Sequence, residues 1–286
     1  MFPLPDQIGT LGAGAVAIRP RARQVPSAGG VRSTAGCVRA GAAGASGGGE
    51  AVSAAIRILS LGGGVQSCYL ALASPEAFDF AVFADTGSER PDTYAYLAEI
   101  IAPRIGAKLV RVGILGGLEA VKLQGVPGYT LIDGKRGMRR RSCTDHFKIR
   151  PIRRWLRAQG VKRAEMLLGI SCDEVQRMRD SDVRWITNAY PLIDAGLTRA
   201  DCVRWFELNG LPVPPKSSCY FCPFHTPAYW EEMAATDPIS YAKAQRAEEL
   251  SGAFLTVSRR PLGAPVPLPL FDTREEAGAC GGHCHS

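Results

Sequence analysis

A chain of 286 residues with 46% hydrophobic content is long enough for one large domain or two small ones and carries ample material for a core. No run approaches the ~18 consecutive apolar residues of a membrane span, and the N-terminus lacks a compact apolar block before a cleavage site. A membrane or secreted protein is therefore not expected, and a cytoplasmic one is. The formal charge of +7 suits an anionic partner, nucleotide or nucleic acid, and nine cysteines suit metal or redox use better than a disulfide framework.

Residues 1–54 are dominated by Ala, Gly, Ser and Arg, with Asp6 and Glu50 the only acids and no sustained period of 2 or 3.6, which is the composition of a disordered leader. It suits a transit peptide or an upstream extension with no role, and Cys37 within it reads as a bystander. From Ile56 strand and helix patterns alternate, which implies parallel strands in one sheet. Strands are expected at Ile56–Leu61, Phe78–Ala84, Lys108–Val112, Glu165–Ile170 and Val183–Asn188. Helices are expected at Val65–Ala73, Pro91–Ala102, Phe147–Gln159 and Thr198–Asn209, the last with Thr198 and Asp201 as cap and reciprocal acid. A nucleotide-binding domain over 55–225 is followed by a helical extension, 226–258, with an amphipathic helix at Pro238–Ser251. A Pro-rich linker and Cys/His tail, 259–286, close the chain.

The first strand runs into Gly62-Gly63-Gly64-Val65-Gln66-Ser67, three glycines and then a hydroxyl that opens a helix. Glycines admit positive φ and close approach of an anion, and free N–H groups with the helix dipole favour negative charge. The turn reads as a phosphate cradle with Ser67 facing the phosphates; a tight strand-to-helix turn is the plain alternative. Asp85-Thr86-Gly87 closes the second strand, where a carboxylate and a hydroxyl can hold a ribose, a metal or an amine, or cap the next helix. Both turns fall at strand carboxyl ends, where open α/β sheets bind ligands.

These turns are followed by Pro91-Asp92-Thr93-Tyr94, by Cys143-Thr144-Asp145-His146-Phe147-Lys148-Ile149-Arg150-Pro151-Ile152, and by Gly169-Ile170-Ser171-Cys172-Asp173-Glu174 with Arg177 and Arg179. Tyr190-Pro191-Leu192-Ile193 before Thr198-Arg199-Ala200-Asp201, and Cys219-Tyr220-Phe221-Cys222-Pro223, complete an order that resembles the N-type ATP pyrophosphatase (PP-loop) superfamily in its phosphoadenylylsulfate (PAPS) reductase branch. The similarity spans about Ile56 to His225. It implies an open, mostly parallel Rossmann-like (HUP-type) α/β sheet with helices on both faces and ATP or PAPS as the adenine nucleotide; the small Cys-containing helical extension expected at the C-terminus lies beyond the similarity. By this resemblance Gly62, Gly63, Gly64, Gln66 and Ser67 cradle the phosphates, and Asp85, Thr86 and Gly87 contact the nucleotide or its Mg2+. Lys148, Arg150, Arg177 and Arg179 meet the charge on the leaving phosphate. The family loop usually reads Ser-Gly-Gly-x-Asp-Ser; here Gly62 stands for the first Ser and Gln66 for the Asp. Reductase members also depart from that pattern, because their sulfate is already activated, so ATP and a phosphosulfate both stay open.

Cys219 and Cys222 form a C-x-x-C pair before Pro223, and Cys143 can supply a third thiolate to one metal. Adenylylsulfate reductases of the resembled branch hold a 4Fe-4S cluster on a Cys-Cys pair plus C-x-x-C, and here Thr144 replaces the second cysteine of the first pair. The resemblance implies a 4Fe-4S cluster whose fourth iron is open to sulfur, as in some tRNA thiolases of the superfamily, or is ligated by Cys284. Zinc with His225 or His146 is the rival, and a metal-free dithiol the third reading. Cys68 and Cys202, inside helix patterns, read as small buried hydrophobes, and Cys172 is left open. The family's reductases end in Glu-Cys-Gly-x-His, whose cysteine attacks sulfur. Cys280-Gly281-Gly282-His283 is similar, with Ala279 in place of the acid, which makes Cys280 the candidate nucleophile.

Between Lys135 and Arg157 stand ten Lys or Arg residues, Arg139-Arg140-Arg141 among them. A phosphate clamp needs two or three, so the excess suggests a polyanion such as tRNA or DNA, with a solvated basic face as the alternative. Trp155, Trp185 and Trp205 read as core. The combined expectation is adenine-nucleotide-dependent sulfur transfer, in which ATP activates an acceptor oxygen as an adenylate and sulfur held at the cysteines displaces AMP. A sulfur donor or thiol reductant is a further partner, and the oligomeric state is left between monomer and homodimer. The alternatives are reduction of PAPS or adenylylsulfate to sulfite, and a catalytically silent nucleotide- or nucleic-acid-binding module.

Overall fold

The computed structural model describes residues 55–113 and 127–264. In chain order its strands are β1 (Ile56–Leu61), β2 (Phe80–Asp85), β3 (Leu109–Gly113), β4 (Tyr129–Ile132), β5 (Lys135–Met138), β6 (Ala164–Leu168) and β7 (Ile186–Ala189). Five of them form an all-parallel sheet in the order β3-β2-β1-β6-β7, with Ser60 opposite both Val82 and Leu168. The helices are α1 (Val65–Ala73), α2 (Pro91–Tyr96), α3 (Ala102–Ile105), α4 (Arg150–Ala158), α5 (Pro191–Asp194), α6 (Arg199–Leu208), α7 (Pro227–Thr236) and α8 (Pro238–Ser251).

Alternation along the strands sorts the core into two layers, as a sheet covered on both faces requires. Leu59, Leu61, Phe83 and Leu167 pack with Cys68 and Leu70 of α1 and with Cys202 and Phe206 of α6. Ile58, Val82 and Met166 pack on the opposite face with Ile152 and Leu156 of α4. Full burial of a side chain such as Ile58, Leu59 or Leu156 stabilises the fold by about 1.5–3 kcal/mol. This is a Rossmann-like α/β sheet, and Cys68, Cys202 and the three tryptophans take core or core-edge places in it.

β1 and α1 fall where the sequence pattern puts them. β2 starts at Phe80 rather than Phe78, and the strand expected from Val183 starts only at Ile186, after a turn closed by Ile186 N–H to the Val183 carbonyl. The Thr198 and Asp201 capping box is present at α6. Two prolines reshape the helices expected at Pro91–Ala102 and Phe147–Gln159. Pro103 and Pro151 lack the N–H that would bond four residues back, and their rings crowd that carbonyl. Each follows a π turn, Leu97–Ile101 and Asp145–Ile149, in which Ala102 N–H reaches Leu97 O and Arg150 N–H reaches Asp145 O.

The C-terminal helices build a third cluster, with Trp230 and Met233 of α7 and Ala244 and Ala247 of α8 around Tyr220, Phe221 and Leu255. The antiparallel β4–β5 hairpin, which the sequence reading did not anticipate, turns on Asp133 (φ 50°) and Gly134 (φ 73°), the two left-handed positions that an Asp-Gly pair supplies. It joins the C-terminal unit through Tyr129 and Phe254, which exchange two 2.8 Å backbone hydrogen bonds. The linker beyond residue 264 and the tail with Cys280 and Cys284 lie outside the described residues. Among the described residues no helix is long and apolar enough to cross a membrane.

Gly169, directly after β6, lies against the glycine loop, and a Cβ there would fall 2.8 Å from Ser67 N and 3.1 Å from Ser67 Cα. Both contacts are backbone, so neither can swing aside. Gly169→Ala is expected to destabilise the protein by about 1–3 kcal/mol, read as a lower midpoint in urea denaturation.

Candidate nucleotide cleft and thiol cluster

β1 is flanked by β2 on one side and β6 on the other, so the chain leaves it at the switch point of the sheet, over open space. Gly63 takes φ +76°, and a Cβ on it would lie 2.8 Å from Thr93 Cγ2. Gly64 caps α1 with no side-chain hydrogen bond, which leaves the first helical N–H groups for a ligand or water. The Ser67 hydroxyl closes the loop on itself. It accepts from Gly62 N–H at 3.1 Å and donates to the Gly64 carbonyl at 3.1 Å.

Gln66 uses both ends of its amide. Nε2 donates to Glu174 Oε2 at 3.1 Å and Ser171 Oγ at 3.4 Å, and Oε1 accepts from Arg199 Nη1 at 3.0 Å. A carboxylate at this position would have nothing to donate and would face Glu174. The amide therefore ties the loop to the turn at Cys172–Arg177 and to the start of α6.

A cleft of about 760 Å3 opens over this loop, within the usual range for small-ligand sites. Gly62, Gly64, Gln66 and Ser67 form its floor; Lys148, Arg153, Arg177, Arg179, Arg199 and Lys216 bring six cations to it, against Glu174, Asp180 and Asp182. Arg177 pairs with Glu174 at 2.6 Å and Arg153 with Asp182. Arg179 bonds the carbonyls of Gln176 and Met178, and Arg199 the Gln66 amide, so their charge is left for an anion. Arg153 lies in the basic run and Arg199 in the Thr198–Asp201 motif, but neither is assigned to the nucleotide from sequence, and Lys216 belongs to no motif. Being spread over three segments, they leave no local pattern.

Of the residues expected at the nucleotide, Gly63, Asp85, Thr86, Gly87 and Arg150 do not line the cleft. Asp85 is buried with both oxygens engaged, Oδ1 by Gly87 N–H and Tyr94 OH at 2.7 Å each and Oδ2 by Arg111 Nε at 2.6 Å, and it does not line the cleft. Burial and the Asp85 hydrogen bond push the Tyr94 hydroxyl well above its ordinary pKa, so it stays a donor. Arg150 pairs with Asp145 at 2.7 Å on the surface, also outside the cleft lining. Gly87 takes the φ of +69° that its turn needs.

Thr86 leads to the thiols. Its Oγ1 lies 3.3 Å from Cys219 Sγ, which also lies 3.9 Å from Glu89 Oε1. Glu89 and Cys219 share an antiparallel backbone bridge. Lys148 Nζ approaches Glu89 Oε1 at 3.4 Å; the Glu89 side chain is wholly buried, while 37% of the Lys148 side chain faces the cleft. Burial pulls the Lys148 pKa down, but Glu89, Cys219 and Cys143 outweigh it and the net shift is upward. The lysine thus belongs to both the cleft and the thiol cluster. Burial, then the Glu89 charge, push the Cys219 thiol up to about 12, with Lys148 and Thr86 opposing. Burial and the nearby Cys143 also raise Cys222. Cys143, Cys219 and Cys222 are therefore electrostatic neighbours beside the cleft, and all three are free thiols.

Among the described residues, no three Cys, His, Asp or Glu side chains are arranged so as to hold a metal ion. Two orphaned atoms lie in the two segments that flank Cys219 and Cys143: Glu89 Oε2 and His146 Nδ1 are buried without a hydrogen-bond partner. His225 Nε2 meets the Cys219 carbonyl at 3.0 Å and its ring stacks on Tyr229 at 4.1 Å. The chain matches no protein-family model and no curated protein.

Burial lowers the His225 pKa from 6.5 to about 4. Between those values the unfolded chain binds the extra proton, so this histidine's stabilising contribution is whole above pH 6.5 and falls as pH drops toward 4, by up to about 1.4 kcal/mol per unit. His225→Gln is expected to flatten that part of a stability–pH curve measured by denaturant titration. Lys148→Met strands Glu89 and is expected to cost about 2 kcal/mol, less than a fully buried pair because the lysine opens on the cleft. Adding Glu89→Gln should restore much of it in a double-mutant cycle.

Proposed function

We propose that the protein is an adenine-nucleotide-dependent sulfur-transfer enzyme of the HUP type, related to the PAPS reductase branch that its motifs resemble. The observation that carries this reading is Lys148, one side chain that lines the anion cleft and pairs with the carboxylate beside Cys219. Phosphate binding and thiol chemistry are thereby within one side chain of each other.

In this reading the nucleotide phosphates lie over Gly62–Ser67, where the N–H groups opening α1 and the charges of Arg179, Arg199 and Lys216 hold them. An acceptor oxygen attacks the α-phosphorus of ATP and pyrophosphate leaves. Sulfide from a donor, held at Cys143, Cys219 and Cys222, then attacks the activated carbon, the carbon–oxygen bond to the adenylate breaks and AMP leaves, its charge met by Lys148 and Arg177. Glu89 lies where it can accept the proton of Cys219, a thiol that burial and this same carboxylate keep protonated at neutral pH until sulfur transfer draws the proton off. The thiols serve as such or as ligands of an iron–sulfur cluster, which would supply an electrophilic iron for sulfur only where its fourth iron is not ligated by Cys284. Iron and labile sulfide in oxygen-free protein decide between the two.

One observation favours a second reading, reduction of PAPS or adenylylsulfate. The loop carries no carboxylate, and the amide in its place is fully engaged, which suits a nucleotide that needs no metal-assisted cleavage between its phosphates. Product analysis separates the readings. AMP with pyrophosphate from ATP, dependent on a sulfur donor and an acceptor, is the expected outcome; sulfite from a phosphosulfate selects the reductase. Arg199→Ala is expected to weaken nucleotide binding about tenfold through loss of one charge-assisted contact, measured by calorimetry. Tight binding with neither product would leave a silent binding module.

A further inference from the structure

The basic segment after the β4–β5 hairpin reaches the thiols, and its last arginine covers an aromatic ring. Arg141 Cζ lies 5.2 Å from the centroid of Phe224, a residue that is 48% exposed. The Phe224 backbone N–H and the Arg141 charge both favour the thiolate of Cys222. A guanidinium plane and an exposed phenyl ring therefore stand together at the edge of the sulfur cluster. Lys135, Arg136, Arg139 and Arg140 are all exposed, and none of them lines the nucleotide cleft. Arg139 donates to the Ser251 carbonyl, and among the described residues Lys135, Arg136 and Arg140 have no carboxylate partner.

This charge is surplus to the cleft, which has six cations of its own. Its arrangement in space, exposed cations on and after a hairpin ending at an arginine over an exposed aromatic ring, suits a polyanion that also presents flat rings. We infer that Arg141 and Phe224 form a stacking platform for an unpaired base of a single-stranded nucleic acid, whose phosphates lie along Lys135, Arg136, Arg139 and Arg140. Bases stack on aromatic and guanidinium planes regardless of sequence, while the backbone contacts supply salt-dependent affinity. The inference deepens the sulfur-transfer reading, and rests on it for one point, that the base delivered beside Cys222 is the acceptor.

The test is equilibrium binding of fluorescent 12-mers to the full-length protein, by anisotropy, with no nucleotide or sulfur donor present. A base-bearing single strand is expected to bind about tenfold more tightly than an abasic strand of equal length, with affinity falling as salt rises. Phe224→Leu should bring the two strands within about twofold of each other, while Phe224→Trp keeps the difference and reports stacking through quenched fluorescence. Arg136→Glu with Arg140→Glu should weaken both strands and flatten the salt dependence. Equal affinity of the unaltered protein for base-bearing and abasic strands, preference for duplex, or absence of binding would each overturn the platform. Because binding is read without turnover, a failure here leaves the nucleotide assays standing, and a failure there leaves this one.

Discussion

The arrangement depends on one crossing of the chain. Residues 215–219 pass over the glycine loop and the end of β2, held by the Ser217 hydroxyl, which donates to the Gly62 carbonyl, and by the bridge between Cys219 and Glu89. Tyr220 N–H continues the seam to the Ser88 carbonyl at 2.9 Å. Each hydrogen bond adds only about 1 kcal/mol, yet Tyr220 and Phe221 lead directly into the third apolar cluster, so the seam is fastened at both ends. Through it the C-terminal helices are tied to residues 215–217, which line the cleft.

The crossing also sets the electrostatics. It buries the Glu89 carboxylate next to a thiol, and the only described cation within 4 Å of that carboxylate is the Lys148 ammonium arriving from the π turn before α4. A pair this buried on one side and wet on the other is held by geometry as much as by charge: the lysine must extend from a helix whose start is displaced by Pro151. The π turn widens that start by one residue, which alters where Lys148 points relative to a regular helix. Arg90 provides a parallel case. Nearly buried, it pairs with Glu232 at 3.0 Å and Asp237 at 3.5 Å and binds the start of α2 to α7.

The glycine loop shows how a single residue type changes what a turn does. With an amide at position 66 the loop joins Ser171, Glu174 and Arg199 into one network that needs both a donor and an acceptor. Gly169 and Gly63 then let backbone and side chains close around it, at places where an added Cβ would fall 2.8 Å from its nearest neighbour. The floor of the cleft is rigid for this reason, while its cationic walls come from long side chains that can adjust to a ligand.

Local chemistry was enough to place much of this. Short apolar runs alternating with helix patterns marked the five sheet strands, glycines the turn after β1, and Thr198 with Asp201 the start of α6, since each signal acts over a few residues. The Asp-Gly turn of the β4–β5 hairpin was equally local and was passed over because its strands are short and half exposed. The partners of Gln66, the engagement of Asp85 by Tyr94 and Arg111, and the meeting of Glu89, Lys148 and Cys219 were not legible. They join residues 9 to 133 positions apart, and their contacts exist only once the sheet order and the 215–219 crossing are set. The sequence by itself determined an α/β sheet with an anion-ready turn and the cysteines available to it. Tertiary structure alone decided which charges face the cleft, because burial and distance, on which charge interactions depend, are properties of the packed chain.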